Sequence, residues 1–157
     1  MKVVSALALF SALSFTAAPV FADDLADAAH LQTLLTQAGY QYHTTSDKTV
    51  VWIPFTGKNL GEYKVIAASG DNGLEVIFVV VAKKSQMAMT PDLATTMLKL
   101  NHTLDRVKVG IDDDGDAFVR LDSSIRVMDQ AEIKAEVDQV AAAADEVYGD
   151  MKPYLTS

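Results

Sequence analysis

From Asp24 onward, Leu25, Ala28, Leu31, Leu34, Leu35 and Ala38 recur at three- and four-residue spacing. That period predicts an amphipathic helix over 24–38, with Gly39 as its stop. The pattern then changes. Tyr40 to Thr45 and Thr49 to Phe55 are rich in β-branched and aromatic residues, and Ser46-Asp47-Lys48 between them has turn chemistry. Both segments read as strands, with Pro54 confining the second to a sheet edge or ending it. Tyr63 to Ala68 alternates large and small side chains, and Leu74 to Ala82 is the most apolar stretch of this part of the chain. The turn between them ends in Asn72-Gly73, a dipeptide that tolerates the positive φ of a tight hairpin. The run Val76 to Val81 is expected at the centre of a sheet, with Lys83 and Lys84 after it as charged gatekeepers.

Thr90-Pro91-Asp92 opens a second helix. Threonine caps it, proline sits where no amide hydrogen is needed, and aspartate favours the positive helix end. Leu93, Met97, Leu100 and Leu104 form its apolar stripe. Val107, Val109 and Ile111 alternate with Lys108 and Gly110 in a fifth strand, and Asp114-Gly115 turns the chain into a sixth, Ala117 to Leu121. Asp129 with Glu132 makes a capping-box-like start to a last helix that reaches at least Tyr148. The order is α-β-β-β-β-α-β-β-α. Short hairpins make neighbouring strands antiparallel, so the expected class is α+β, a mainly antiparallel sheet of about five to six strands with three helices.

Composition narrows the function. The chain has 157 residues, a formal net charge of −8 and no cysteine. An acidic protein is a poor partner for nucleic acid, whose phosphates are bound by lysine and arginine. The lack of cysteine removes disulfides, thiolate metal sites and thiol nucleophiles. At the N-terminus, Lys2, the apolar stretch Val3 to Phe15 and Val20-Phe21-Ala22 have the make-up of a signal peptide cleaved after Ala22. The expectation is therefore a leader over 1–22, one domain over 23–157, an address in the periplasm or outside the cell, and no stable membrane insertion after cleavage.

Candidate chemistry is sparse. Asp112-Asp113-Asp114-Gly115-Asp116 resembles a calcium loop, but with Gly115 at the sixth position Gly110 falls at position one and Leu121 at twelve, so both essential carboxylates are missing. It reads as a solvated acidic hairpin tip. His30, His43 and His102 lie on three different elements and form no i, i+4 pair. Met87 and Met89 are thioethers suited to Cu(I), or gap-fillers over a core. There is neither a Gly-x-Ser-x-Gly elbow nor a phosphate-binding glycine loop. Asn101, at the edge of the second helix's stripe, is expected to tie that helix to neighbouring backbone. Ile133, Val137, Val140, Ala144, Val147 and Met151 form a seam that fits either the sheet or a second subunit. No catalytic, cofactor-binding or metal-binding residue is assigned, no cofactor is expected, and the partner-binding residues are unknown.

Leu100-Asn101-His102, the run Arg106 to Asp112, Asp114 to Arg120, and Ala143 to Tyr148 in the last helix, together with the element order, resemble the YbjN-like family. Its domain is similar to the type III secretion chaperones. The resemblance implies their α+β fold, a homodimer, binding of unfolded client segments and no catalysis, with regulation as a further role. Secretion chaperones act in the cytoplasm, whereas the leader sends this chain outward. The expected protein is therefore an exported, non-enzymatic interaction module that accepts a polypeptide client and forms a homodimer, and a small-ligand or divalent-cation-binding extracytoplasmic protein is the alternative.

Overall fold

The computed structural model describes residues 21–46, 48–70 and 73–156, with side chains described from residue 26. The expected leader over 1–22 thus lies almost wholly outside the described residues. Its last two positions, Phe21 and Ala22, begin the first helix, α1 (Phe21–Gln37). The chain continues through strands β1 (His43–Thr44), β2 (Val50–Thr56), β3 (Glu62–Gly70) and β4 (Leu74–Ala82). Helix α2 (Pro91–Thr103), strands β5 (Lys108–Ile111) and β6 (Ala117–Ser124), and helix α3 (Gln130–Met151) follow. All six strands form one antiparallel sheet in the order β1-β2-β3-β4-β6-β5.

Local chemistry sets the boundaries. Gly39, at φ +86°, ends α1 in a left-handed conformation. Thr90 caps α2 by accepting a hydrogen bond from the Leu93 amide at 3.2 Å, with Pro91 in the first turn. Asp129 accepts from the amides of Ala131 and Glu132, both at 2.9 Å, and so starts α3. Glu132 does not complete a capping box, because its carboxylate turns to Arg106. Strand β1 is shorter than expected. The Tyr40 hydroxyl donates to Asp138 at 2.6 Å and the Tyr42 hydroxyl to the Gln32 carbonyl at 3.2 Å, which draws both rings toward α3 and α1. Strand β6 is longer than expected because Asp122, Ser123 and Ser124 pair with Val76, Glu75 and Leu74. Since β1 covers only Val51 and Trp52, Pro54 lies on an open stretch of β2.

Side chains alternate between the two faces of a strand. One face carries Val51 and Ile53, Val65 and Ala67, Ile77, Val79 and Val81, Val119 and Leu121, all buried. The core lies between this face and the helices, with Leu31, Leu34 and Leu35 from α1, and Ile133, Val137, Val140, Ala144, Val147 and Met151 from α3. The whole seam of α3 is thus used within the chain. Helix α2 buries Leu93, Met97 and Leu100 and packs on β5 and α3. Among the described residues, no helix is long and apolar enough to cross a membrane.

Candidate functional site

Among the described residues, no helix lies on the second face of the sheet. Its residues are the other half of the same alternation: Val50 and Trp52 on β2, Ile66 and Ala68 on β3, Val76, Phe78 and Val80 on β4, and Phe118 on β6. Each of these is partly exposed, and Leu74 is 48% exposed. Cross-strand register aligns them. Trp52 lies opposite Ile66, Ile66 opposite Phe78, Phe78 opposite Arg120, and Arg120 opposite Lys108. The apolar run of β4 therefore has two destinations. Ile77, Val79 and Val81 fill the core, while Val76, Phe78 and Val80 face outward.

The open face has a defined relief. At the β1 end, His43 stacks on Trp52 at 3.9 Å between ring centroids, and Lys64 Nζ lies 4.1 Å above the Trp52 ring. At the other end, Val76, Phe78, Val80, Asp112, Phe118 and Arg120 line a recess of about 110 Å³. Phe118 lies over Gly110, its cross-strand partner, so closely that a Cβ at position 110 would come within 2.6 Å of the ring. Beyond the recess, Asp122 joins Arg120 at 2.5 Å and Lys108 at 2.6 Å. Burial would raise the Asp122 pKa, but the bonds from Lys108 and Arg120 outweigh it and hold the carboxyl below its usual range. The result is an apolar floor with a small polar cluster at the β5 side.

Of the other residues singled out in the sequence, Asp112 and His43 border the open face and the rest lie elsewhere. The Asp112–Asp116 hairpin is held by its own bonds: Asp116 accepts from Lys83 Nζ at 2.6 Å and from the Lys84 amide at 2.8 Å, and Asp112 accepts from the Asp116 amide at 2.8 Å. The Lys83 hydrogen bond holds the Asp116 carboxyl below the usual range. Among the described residues, no group of three or more His, Asp or Glu side chains is placed to hold a metal ion. Of the histidines, His43 joins the open face, while His30 and His102 are exposed on separate helices. Met87 packs against the core and Met89 is 53% exposed. Asn101 ties α2 to β5: its Nδ2 donates to the Val109 carbonyl at 2.9 Å, and its Oδ1 accepts from the Val109 amide at 2.8 Å. The open face itself was missed as a surface in the sequence. The available signal was the even-numbered apolar set of β4 continued by Trp52, Ile66 and Phe118, too many apolar positions for a sheet with one buried side.

Comparison with known proteins gives a consistent picture. A family model described as YbjN, putative bacterial sensory transduction regulator, matches residues 27–152. No curated protein matches the chain. Among solved structures, YbjN from E. coli, a putative transcription regulator, aligns with a TM-score of 0.56 at 16% identity, covering 82% of this chain and 95% of that one. The heterodimeric ExoU–SpcU complex of the Pseudomonas aeruginosa type III secretion system aligns at 0.53 and 16% identity, over 78% of this chain and 95% of that one. The Yersinia pestis type III secretion chaperone SycH, solved with a stable fragment of YscM2, aligns at 0.51 and 12% identity, over 77% and 98%. The fold is thus that of the type III secretion chaperones. This corrects the expected periplasmic or extracellular address, since the structures that share the fold are a type III secretion complex, a type III secretion chaperone and a putative transcription regulator.

Proposed function

The chain belongs to the YbjN family, and on that premise we propose that it is a non-enzymatic polypeptide-binding module whose contact surface is the open face of the sheet. The observation that carries this reading is the continuous apolar ladder of Trp52, Ile66, Phe78, Val76, Val80 and Phe118 on a face that no helix of the described residues covers. The occupant is an unfolded polypeptide segment with apolar side chains, one of which enters the recess of about 110 Å³. Two structures of the same fold were solved with partner polypeptides, SpcU with ExoU and SycH with a fragment of YscM2, which supports the choice of a polypeptide as occupant.

Trp52 is the single tryptophan of the chain and lies on the proposed surface, so its fluorescence reports occupancy directly. Titration with a reduced, alkylated and permanently unfolded polypeptide is expected to change Trp52 emission saturably, while the native form of the same polypeptide leaves it unchanged. Phe78→Glu places a charge in the middle of the ladder and is expected to weaken binding about tenfold or more, in line with the 1.5–3 kcal/mol that burial of one large apolar side chain contributes. Equal response to folded and unfolded forms would overturn the reading. A concentration-dependent dimer in sedimentation that Phe78→Glu abolishes would give the face to a second copy of the chain instead.

A further inference from the structure

Glu75 and Glu136 are both fully buried. They belong to one cluster. Glu75 lies opposite Ser123 in the β4–β6 ladder, and Ser123 Oγ donates to Glu136 Oε2 at 2.8 Å, so α3 brings its carboxylate to the strand position beside Glu75. Glu136 is well served, since Arg106 Nη2 also donates to its Oε1 at 2.6 Å. Glu75 is not. Neither of its carboxyl oxygens has a hydrogen-bond partner among the described residues. An ionised carboxylate with no partner in such a place is strongly disfavoured, and a second carboxylate beside it adds repulsion.

We propose that Glu75 and Glu136 form a proton-operated latch: one proton held by the pair keeps the β4 residues Leu74 and Glu75 closed against β6 and α3, and its release opens those rungs. The groups around Glu75 support this division of roles. From α3 come Glu136 and, behind it, Glu132; from the segment after α2 comes Arg106, which bonds both. Strands β3 and β6 contribute the uncharged Ser69 and Ser123 at the paired positions. The Arg126 side chain lies against Gly73 at the hairpin end. Arg106 therefore neutralises Glu136, and the proton resides on Glu75. Burial, followed by the charge of Glu136, raises the Glu75 pKa to about 8, and burial also raises that of Glu136.

The hairpin end yields before the helix does. Among the described residues, its ladder contacts are the last rungs, Ser69 with Glu75, Gly70 with Leu74, Leu74 with Ser124 and Glu75 with Ser123. Helix α3, by contrast, is anchored by a buried stripe from Ile133 to Met151. Because the closed form binds the proton more tightly than the open form, the stability of the closed end is complete below the ordinary glutamate pKa and declines as pH rises to about 8.

The test uses the full chain with carbon-13-labelled glutamate carboxyls and amide hydrogen exchange from pH 5 to 9. One glutamate is expected to titrate near pH 8 and to disappear in Glu75→Gln. After correction for the chemical exchange rate, protection of the amides at Leu74, Glu75, Ser123 and Ser124 is expected to fall about tenfold per pH unit between about pH 5 and 8, while the middle of α3 stays constant and Glu75→Gln shows a flat profile. The latch is overturned if every glutamate titrates below pH 6, or if protection at the hairpin end is independent of pH while a glutamate titrates near 8. Both of those readings come from the unsubstituted protein, so the answer stands even if Glu75→Gln does not fold.

Discussion

Arg106 shows how much one side chain organises in this protein. Its backbone is in the left-handed region, φ +63°, which costs a non-glycine residue about 1–2 kcal/mol. From there its guanidinium reaches Glu132 at 2.5 Å and Glu136 at 2.6 Å. The Glu132 end is half-exposed and contributes little, but Glu136 has no access to water and would be left charged with Ser123 alone. Arg106→Ala is therefore expected to lower unfolding free energy by about 2 kcal/mol at neutral pH and by less at pH 5, where Glu136 can take up a proton, as measured by urea denaturation. Part of this arrangement was legible. Glu136 falls between Ile133 and Val137 on the buried stripe of the last helix, and Glu75 shares parity with Ile77, Val79 and Val81, so both acids stand where the period requires apolar residues. The left-handed turn at Arg106 was not legible, because nothing in its neighbours marks a positive φ there.

At the scale of elements, two polar clasps hold the ends of the sheet. Asn101 bonds both backbone groups of Val109 on the outer side of β5, so α2 closes an edge that would otherwise be open to strand pairing. Asn101→Ala is expected to cost about 1–2 kcal/mol and to raise hydrogen exchange at the Val109 amide above that of Val119 on the neighbouring strand. The second clasp is Asp145 on α3, which accepts from the amides of Lys58 at 3.2 Å and of Asn59 and Leu60 at 2.8 Å. Those bonds, led by the Leu60 amide, hold its carboxyl below the usual range. Its contribution is present above the unfolded-state pKa and is lost as pH falls through the lowered value. Asp145→Asn should thus destabilise at pH 7, and the difference from the unsubstituted protein should shrink as pH falls below the ordinary carboxylate range, in thermal melts across that range. The elements themselves were readable because their signals are local: a 3.6-residue period, a Thr-Pro start, Gly-containing turns. The clasps link positions 8 and about 85 residues apart, and sequence spacing predicts only the first, since Asn101 sits on an edge of its helix stripe whereas Asp145 looks like any solvated acid.

For the molecule as a whole, charge and apolar surface pull in different directions. The net charge is −8, yet the open face contributes an apolar ladder bordered by Lys64, Lys108 and Arg120 as well as Asp112 and Asp122. Affinity on such a face should come from burial, which salt does not screen, while the encounter is shaped by the field of the whole chain, which salt does. The sequence showed both quantities but not their arrangement, because the distribution of apolar residues between two faces depends on which face the helices choose. Two unfolded polypeptides of equal apolar content and opposite net charge separate these contributions. At low ionic strength the basic one is expected to associate faster, and at about 0.5 M salt, where the screening length is only a few ångströms, the two association rates should converge while dissociation rates change little. Stopped-flow measurement of Trp52 emission gives both rates. If added salt instead abolished binding of the basic polypeptide, its capture would rest on the acidic surface at large, and the apolar ladder from Trp52 to Phe118 would not be the binding site.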